Sequence, residues 1–247
     1  MSSSKPSSTA QIFRELVTNP SARRQRISGQ ELPPALKLLR TFQSERLAHT
    51  HADLLASPRF GPACRFFLTD IYAPQDFSQR DHDAESLYKL MNRFLPDDLL
   101  YPLALVLKLN NMTHDLDERL ADALVNRLGV TDAITPEQYA EGYRICDNYK
   151  EREIQIDMLL EIGARVDKLV KSPFTAPTLA LANLPAQTAG WDALHGFLER
   201  GYQAFKHMNG SDYFLKTITT REKDILHRIF SAHPDPFGIG GEGERGR

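Results

Sequence analysis

Cysteine is scarce in this chain: among 247 residues only Cys64 and Cys146 carry a thiol, and no CxxC spacing joins them. Both sit in apolar, helix-patterned surroundings, which implies reduced, buried thiols and a reducing compartment. Net charge is scarce too. The 30 basic residues are offset by 32 acidic ones, leaving −2 at pH 7, so no overall field draws the protein toward nucleic acid or an anionic membrane. Long apolar runs are missing as well. The opening "MSSSKPSSTAQ" has no apolar signal-like core, and no later stretch supplies the roughly 18 consecutive apolar residues of a spanning helix. The expected setting is therefore cytoplasmic, with neither export nor membrane insertion. The P-loop spacing GxxxxGK[ST], the nucleophile elbow GxSxG and the zinc motif HExxH are all absent. Their absence removes those familiar chemistries and leaves only enzymes of unfamiliar design.

What is present is ordinary globular material, 41% hydrophobic and 25% charged, enough to bury a core without staples. Apolar residues recur at helical rather than alternating spacing, so the expected fold is all-α. A single bundle-like domain of about eight helices is expected over 11–232, between a Ser-rich tail at 1–10 and a Gly-rich tail at 233–247. A short helix is expected at Gln11–Val17, followed by a polar linker holding Arg23, Arg24 and Arg26. Proline placement predicts a helix from Pro33-Pro34 to Ala56, and a nearly all-apolar one from Pro62 to Tyr72. Ser78 with Asp81 resembles a capping box for a helix reaching Phe94. "LPDD" restarts another at Asp97 or Asp98, buried at first and narrowing to one stripe before Gly129. Thr135-Pro136 opens a long helix to Lys171. The proline-spaced "SPFTAPTLALANLPAQTAG" reads as a connector to helices at Trp191–Met208 and Ser211–Ala232.

Helical phase then locates the polar residues, because each step turns about 100°. The apolar stripe Ala35, Leu38, Leu39, Phe42 runs forward onto Glu45, Arg46, His49 and Asp53 within "SERLAHTHADLL". In the long helix Arg152 falls on the stripe of Ile145, Ile156, Leu159 and Leu160. Near the C-terminus Arg221 falls between Phe214, Ile218 and Ile225, with Glu222 at the edge. A buried charge needs a partner, so these phases predict an inward ionic network of Glu45 and Asp53 with Arg152 or Arg221. Such a network either fixes helix register or lines a polar cleft made of Glu45, Arg46, His49, Asp53, Arg152 and Arg221. In a cleft, His49 would be the proton-transfer group near neutral pH.

Metal chemistry fits the pattern poorly. Glu45 and His49 are spaced Glu-x-x-x-His rather than Glu-x-x-His, and His49 and His51 point to opposite sides of a helix. A haem would need one buried histidine, with His49 and then His195 the choices; no cofactor is predicted. His114, Asp115, Asp117 and Glu118 read as a solvated face. Aromatics from Trp191 to Phe214 gather near the C-terminal helix pair, mostly as core, with an exposed subset available to a partner.

The segments "RFFLTDIYAPQDFSQRDHD" and "FLERGYQAFKHMNGSDYFLKTITTREKDIL" resemble an uncharacterised family of bacterial all-helical proteins, over roughly Glu45 to Phe230. The resemblance implies the fold class and a bacterial cytoplasmic setting, and no activity. The expected function is binding without catalysis, to a protein partner or a small ligand. The competing expectation is an enzyme or ligand sensor, metal- or haem-dependent if so, built on Glu45, His49 and Asp53 with Arg152 and Arg221 holding an anion.

Overall fold

A computed structural model describes residues 32–72, 97–190 and 192–238. The expectations for the two chain ends, for Arg23, Arg24 and Arg26, for the Ser78 cap and its helix, and for Trp191 lie wholly or largely outside those residues.

The described residues form a single all-α bundle. Its helices are α1 (Pro34–Thr50), α2 (Ala52–Ala56), α3 (Gly61–Phe66), α4 (Asp97–Asp122), α5 (Pro136–Cys146), α6 (Tyr149–Lys171), α7 (Thr175–Ala189), α8 (Asp192–Met208) and α9 (Asp212–Phe230). Wider π-helical turns extend α3 over Phe67–Ile71 and α4 over Ala123–Arg127. The longest shared faces are those of α6 with α9 and of α4 with α6. α6 is thus the central rod.

Local chemistry explains most boundaries. Proline at the first turn starts α1 and α5, where its missing N–H costs nothing. Thr135 adds a full capping box to α5: its hydroxyl accepts from Gln138 N, and Gln138 Oε1 accepts from Thr135 N. Arg59 closes the C-terminus of α8, donating to the carbonyls of Met208, Asn209 and Gly210 at 2.7, 3.1 and 3.2 Å. Those last carbonyls have no partners within the helix, and a cation there also complements the helix dipole.

Three boundaries depart from the sequence expectations. The helix expected over 34–56 is interrupted at His51, whose backbone leaves the helical region at φ −114° and ψ 28°. The helix expected from Pro136 to Lys171 is two helices joined at a corner, where Asp147 adopts the left-handed conformation at φ 47°. Apolar periodicity continues across the corner, so the pattern alone hides it. The segment expected as a connector is α7, which contains Pro177 and Pro185 and forms along the sides of α6 and α8. Tertiary packing overrides the local cost of proline there.

Two apolar clusters fill the interior. Leu39, Leu120, Leu124, Tyr139, Leu226 and Ile229 anchor the first, under α1, α4, α5 and α9. Ala63, Phe66, Phe205, Met208, Phe214 and Leu215 anchor the second, where α3 meets α8 and α9. Two glycines make close approaches possible. A methyl on Gly163 would lie 2.5 Å from Leu215 Cδ2, so the Leu215 side chain would have to shift to admit it. A methyl on Gly61 would lie 2.6 Å from the backbone oxygen of Leu55. That obstacle is main chain and cannot rotate away, so Gly61→Ala is expected to destabilise by about 1–3 kcal/mol in urea unfolding. An unchanged midpoint would show that the α2–α3 turn can open without cost.

Candidate functional site

The site begins with α9, whose inward face carries Glu222 between the apolar Ile218 and Ile225. Arg46 on α1 meets it: Nη1 donates to both carboxylate oxygens, at 2.6 and 2.7 Å. His51, at the break between α1 and α2, completes the cluster with Nε2 3.0 Å from Glu222 Oε1. Burial pushes the Glu222 carboxyl up, but the charge of Arg46 and the hydrogen bonds from His51 and Arg46 outweigh it and bring the pKa down to about 2. An ionised carboxylate only accepts, so His51 donates through Nε2. Burial opposes the Arg46 charge, and Glu222 overcomes that opposition and raises its pKa further.

A second buried cluster lies across the same space. Arg152 on α6 is 4% exposed and Asp117 on α4 is 3% exposed. Arg152 Nη1 donates to Asp117 Oδ1 at 3.4 Å and to Gln155 Oε1 at 3.1 Å, while Nη2 donates to the Leu116 carbonyl at 3.1 Å. Gln43 Nε2 on α1 donates to the same Asp117 oxygen at 3.2 Å, and Gln155 Nε2 donates to Thr113 Oγ1 at 2.7 Å. The Arg152 guanidinium stacks 4.7 Å over the ring of Tyr143, whose hydroxyl is 3.0 Å from that of Tyr139. Burial holds the Tyr143 phenol well above its ordinary pKa, so it is neutral at physiological pH. The two clusters together are a buried Arg/Glu/Asp/His network.

Between these clusters lies a cavity of about 120 Å³. Its polar wall carries Arg46, His51, Asp117, Arg152 and Glu222, and its larger apolar wall includes Leu47, Phe67, Leu159, Phe214, Leu215 and Ile218. Cys64 also lines it, and burial pushes that thiol up to about 11, so it is not a thiolate nucleophile at neutral pH. Tyr72 lines it too, its phenol pushed up by burial.

The six residues singled out from sequence separate into three groups. Arg46 and Arg152 line the cavity, Arg152 paired with Asp117 rather than with Glu45 or Asp53. Asp53 and Arg221 do pair, through two hydrogen bonds of 2.6 and 2.8 Å, but at the surface, where the Asp53 side chain is 57% exposed. The hydrogen bond from Arg221 holds the Asp53 pKa down at about 2. Glu45 and His49 are exposed and away from the cavity. The pairing of Glu45 with an inward arginine is thus corrected: α1 turns Arg46 inward and Glu45 outward.

Sequence reasoning passed over Asp117, Glu222 and His51. Asp117 was grouped with a solvated face, whereas α4 is still covered there by α1 and α6. Glu222 was placed at the edge of its stripe. His51 was set aside as opposite His49, and that opposition is what carries it inward.

Among the described residues no group of three or more His, Cys, Asp and Glu side chains is placed to hold a metal ion, and no helix is long and apolar enough to cross a membrane. The C-terminal spelling GIGGEG, from Gly238 to Gly243, has the spacing GxGxxG. The described residues before it are a helix end and turns rather than the strand a dinucleotide-binding turn needs. Comparison with curated proteins and with solved structures finds no match. A family model does match, over residues 22–236, most of the chain. The chain belongs to the family described as Domain of unknown function (DUF8198).

Proposed function

We propose that the protein binds a small ligand in the cavity between α1, α4, α5, α6 and α9, without catalysing a reaction on it. The observation that carries this reading is the cavity itself, with its mostly apolar wall. A space of 120 Å³ left unfilled would cost about 3 kcal/mol in lost packing, and a guest that fills it recovers much of that cost. The absence of chemistry is supported by how fully the reactive groups are engaged. Glu222 accepts from two donors and stays ionised down to about pH 2, which makes it a poor proton shuttle near neutrality. Reduced Cys64 and Cys146 fit a cytoplasmic setting.

Native mass spectrometry of freshly purified protein tests the reading. A discrete mass excess, released by gentle activation and recovered by solvent extraction, is the expected result. Loss of that excess in a variant with the cavity filled, Ile218→Trp, ties it to this space. Protein that carries no guest and is not stabilised by any small molecule would overturn the reading.

A second reading, a protein-partner surface, is favoured by α7. No charged side chain occurs between Lys171 and Asp192, and Phe174 and Leu181 are 76% and 78% exposed. Phe174 lies just before α7 and Leu181 within it, and contiguous exposed apolar surface marks docking sites. Phe174→Asp with Leu181→Asp is expected to leave stability within about 0.5 kcal/mol while abolishing any association through this face. Equal sedimentation of both proteins over a wide concentration range would remove self-association from that reading.

A further inference from the structure

The network beside the cavity restricts what the guest can be. Arg46 is neutralised by Glu222, and Arg152 by Asp117. These four charges sum to zero. Arg46 Nε, His51 Nδ1 and Arg152 Nε have no hydrogen-bond partner among the described residues and are enclosed by protein atoms. A charged guest would lose its hydration and meet no unpaired counter-charge, a penalty of several kcal/mol. The remaining wall is dominated by Leu47, Phe67, Leu159, Phe214, Leu215 and Ile218.

Size narrows the guest further. Apolar cavities of about 150 Å³ take benzene, so 120 Å³ suits one ring or a branched chain of about six heavy atoms. A few polar positions remain for one uncharged group: the Tyr139 and Tyr143 hydroxyls bond to each other and keep acceptor capacity.

Resting on the ligand-binding reading above, we infer that the cavity selects an uncharged, largely apolar molecule of about one ring, and excludes organic anions and cations. Among the described residues the arginines and carboxylates beside it are paired with one another. They offer a charged guest no unpaired counter-charge. This departs from the sequence expectation, in which Arg152 and Arg221 were anion-holding groups.

The test is a charge series of equal size on the full-length protein at pH 7: benzene, phenol, benzoate and benzylamine. Binding is read from Ile and Leu methyl shifts in NMR spectra and from the rise in Tm. Benzene and phenol are expected to shift the methyls of Leu159, Leu215 and Ile218 and to raise Tm. Benzoate and benzylamine are expected to bind at least tenfold more weakly. Tighter binding of benzoate or benzylamine would overturn the inference while leaving the ligand-binding reading intact. Failure of all four at millimolar concentration, with xenon also failing to perturb those methyls, would overturn both. Phenylalanine at Leu159 (Leu159→Phe) is the second variant: loss of benzene binding with unchanged circular dichroism supports the assignment, and retained binding overturns it.

Discussion

Glu222→Ala is expected to cost about 3–5 kcal/mol at pH 7, since it strands Arg46 and His51 without their shared anion in a largely apolar setting. The same residue gives the protein an acid-sensitive component of stability. Its carboxyl has a folded-state pKa of about 2 against an ordinary 4.5. A depressed carboxyl stabilises the fold fully above the unfolded value, and that contribution fades as pH falls from 4.5 through 2. Integrated over the window it amounts to about 3 kcal/mol. Urea unfolding of the native protein and of Glu222→Gln between pH 7 and pH 2 separates this component from others, Asp53 included. The difference between the two proteins is expected to shrink toward acid pH; a constant difference would show that the carboxylate charge contributes nothing. A paired replacement completes the experiment. Arg46→Met with Glu222→Leu removes both charges and is expected to recover most of the loss, because two apolar side chains avoid the desolvation that the ion pair must offset.

Arg152→Met and Arg221→Met, which helical phase treats as equivalent, are expected to differ severalfold. Arg152 is enclosed, and its loss leaves Asp117 buried with Gln43 as its side-chain donor among the described residues; the expected cost is about 3–5 kcal/mol. Arg221 holds an Asp53 whose side chain is more than half exposed, and water replaces such a partner at a cost of about 1 kcal/mol or less. Urea midpoints of the two variants decide the matter. Equal losses would mean that the surface pair is held as rigidly as the interior one.

That contrast also marks where sequence reading stops. The all-α class was legible from apolar spacing, and the caps at Pro34 and Thr135 were legible from residue type. The inward turn of Arg152 was legible as well, because a phase computed from one helix needs only that helix. Its partner was not, since neighbour identity depends on how α1, α4 and α6 are arranged around one another. Glu45 was misplaced for a related reason: a polar run can continue an apolar stripe by count while the neighbouring residue, Arg46, faces inward. Aliphatic side chains on both flanks of α1 left that choice undetermined until the other helices were in place. The helical state of α7 was masked by its two prolines.

The corner at Asp147 makes the cavity depend on chain length more than on chain composition. Tyr143 and Arg152 are nine positions apart; along one straight helix they would lie about 180° apart around the axis and roughly 13 Å apart along it. The corner folds that separation back, and the guanidinium lands on the ring. Insertion of a single residue between them would rotate α6 by about 100° relative to α5, swing Arg152 away from Asp117 and carry Gly163 off the Leu215 side chain. Substitutions along the cavity wall alter its volume by a methyl at a time, whereas one residue gained or lost at this corner would scramble every face of the central rod at once.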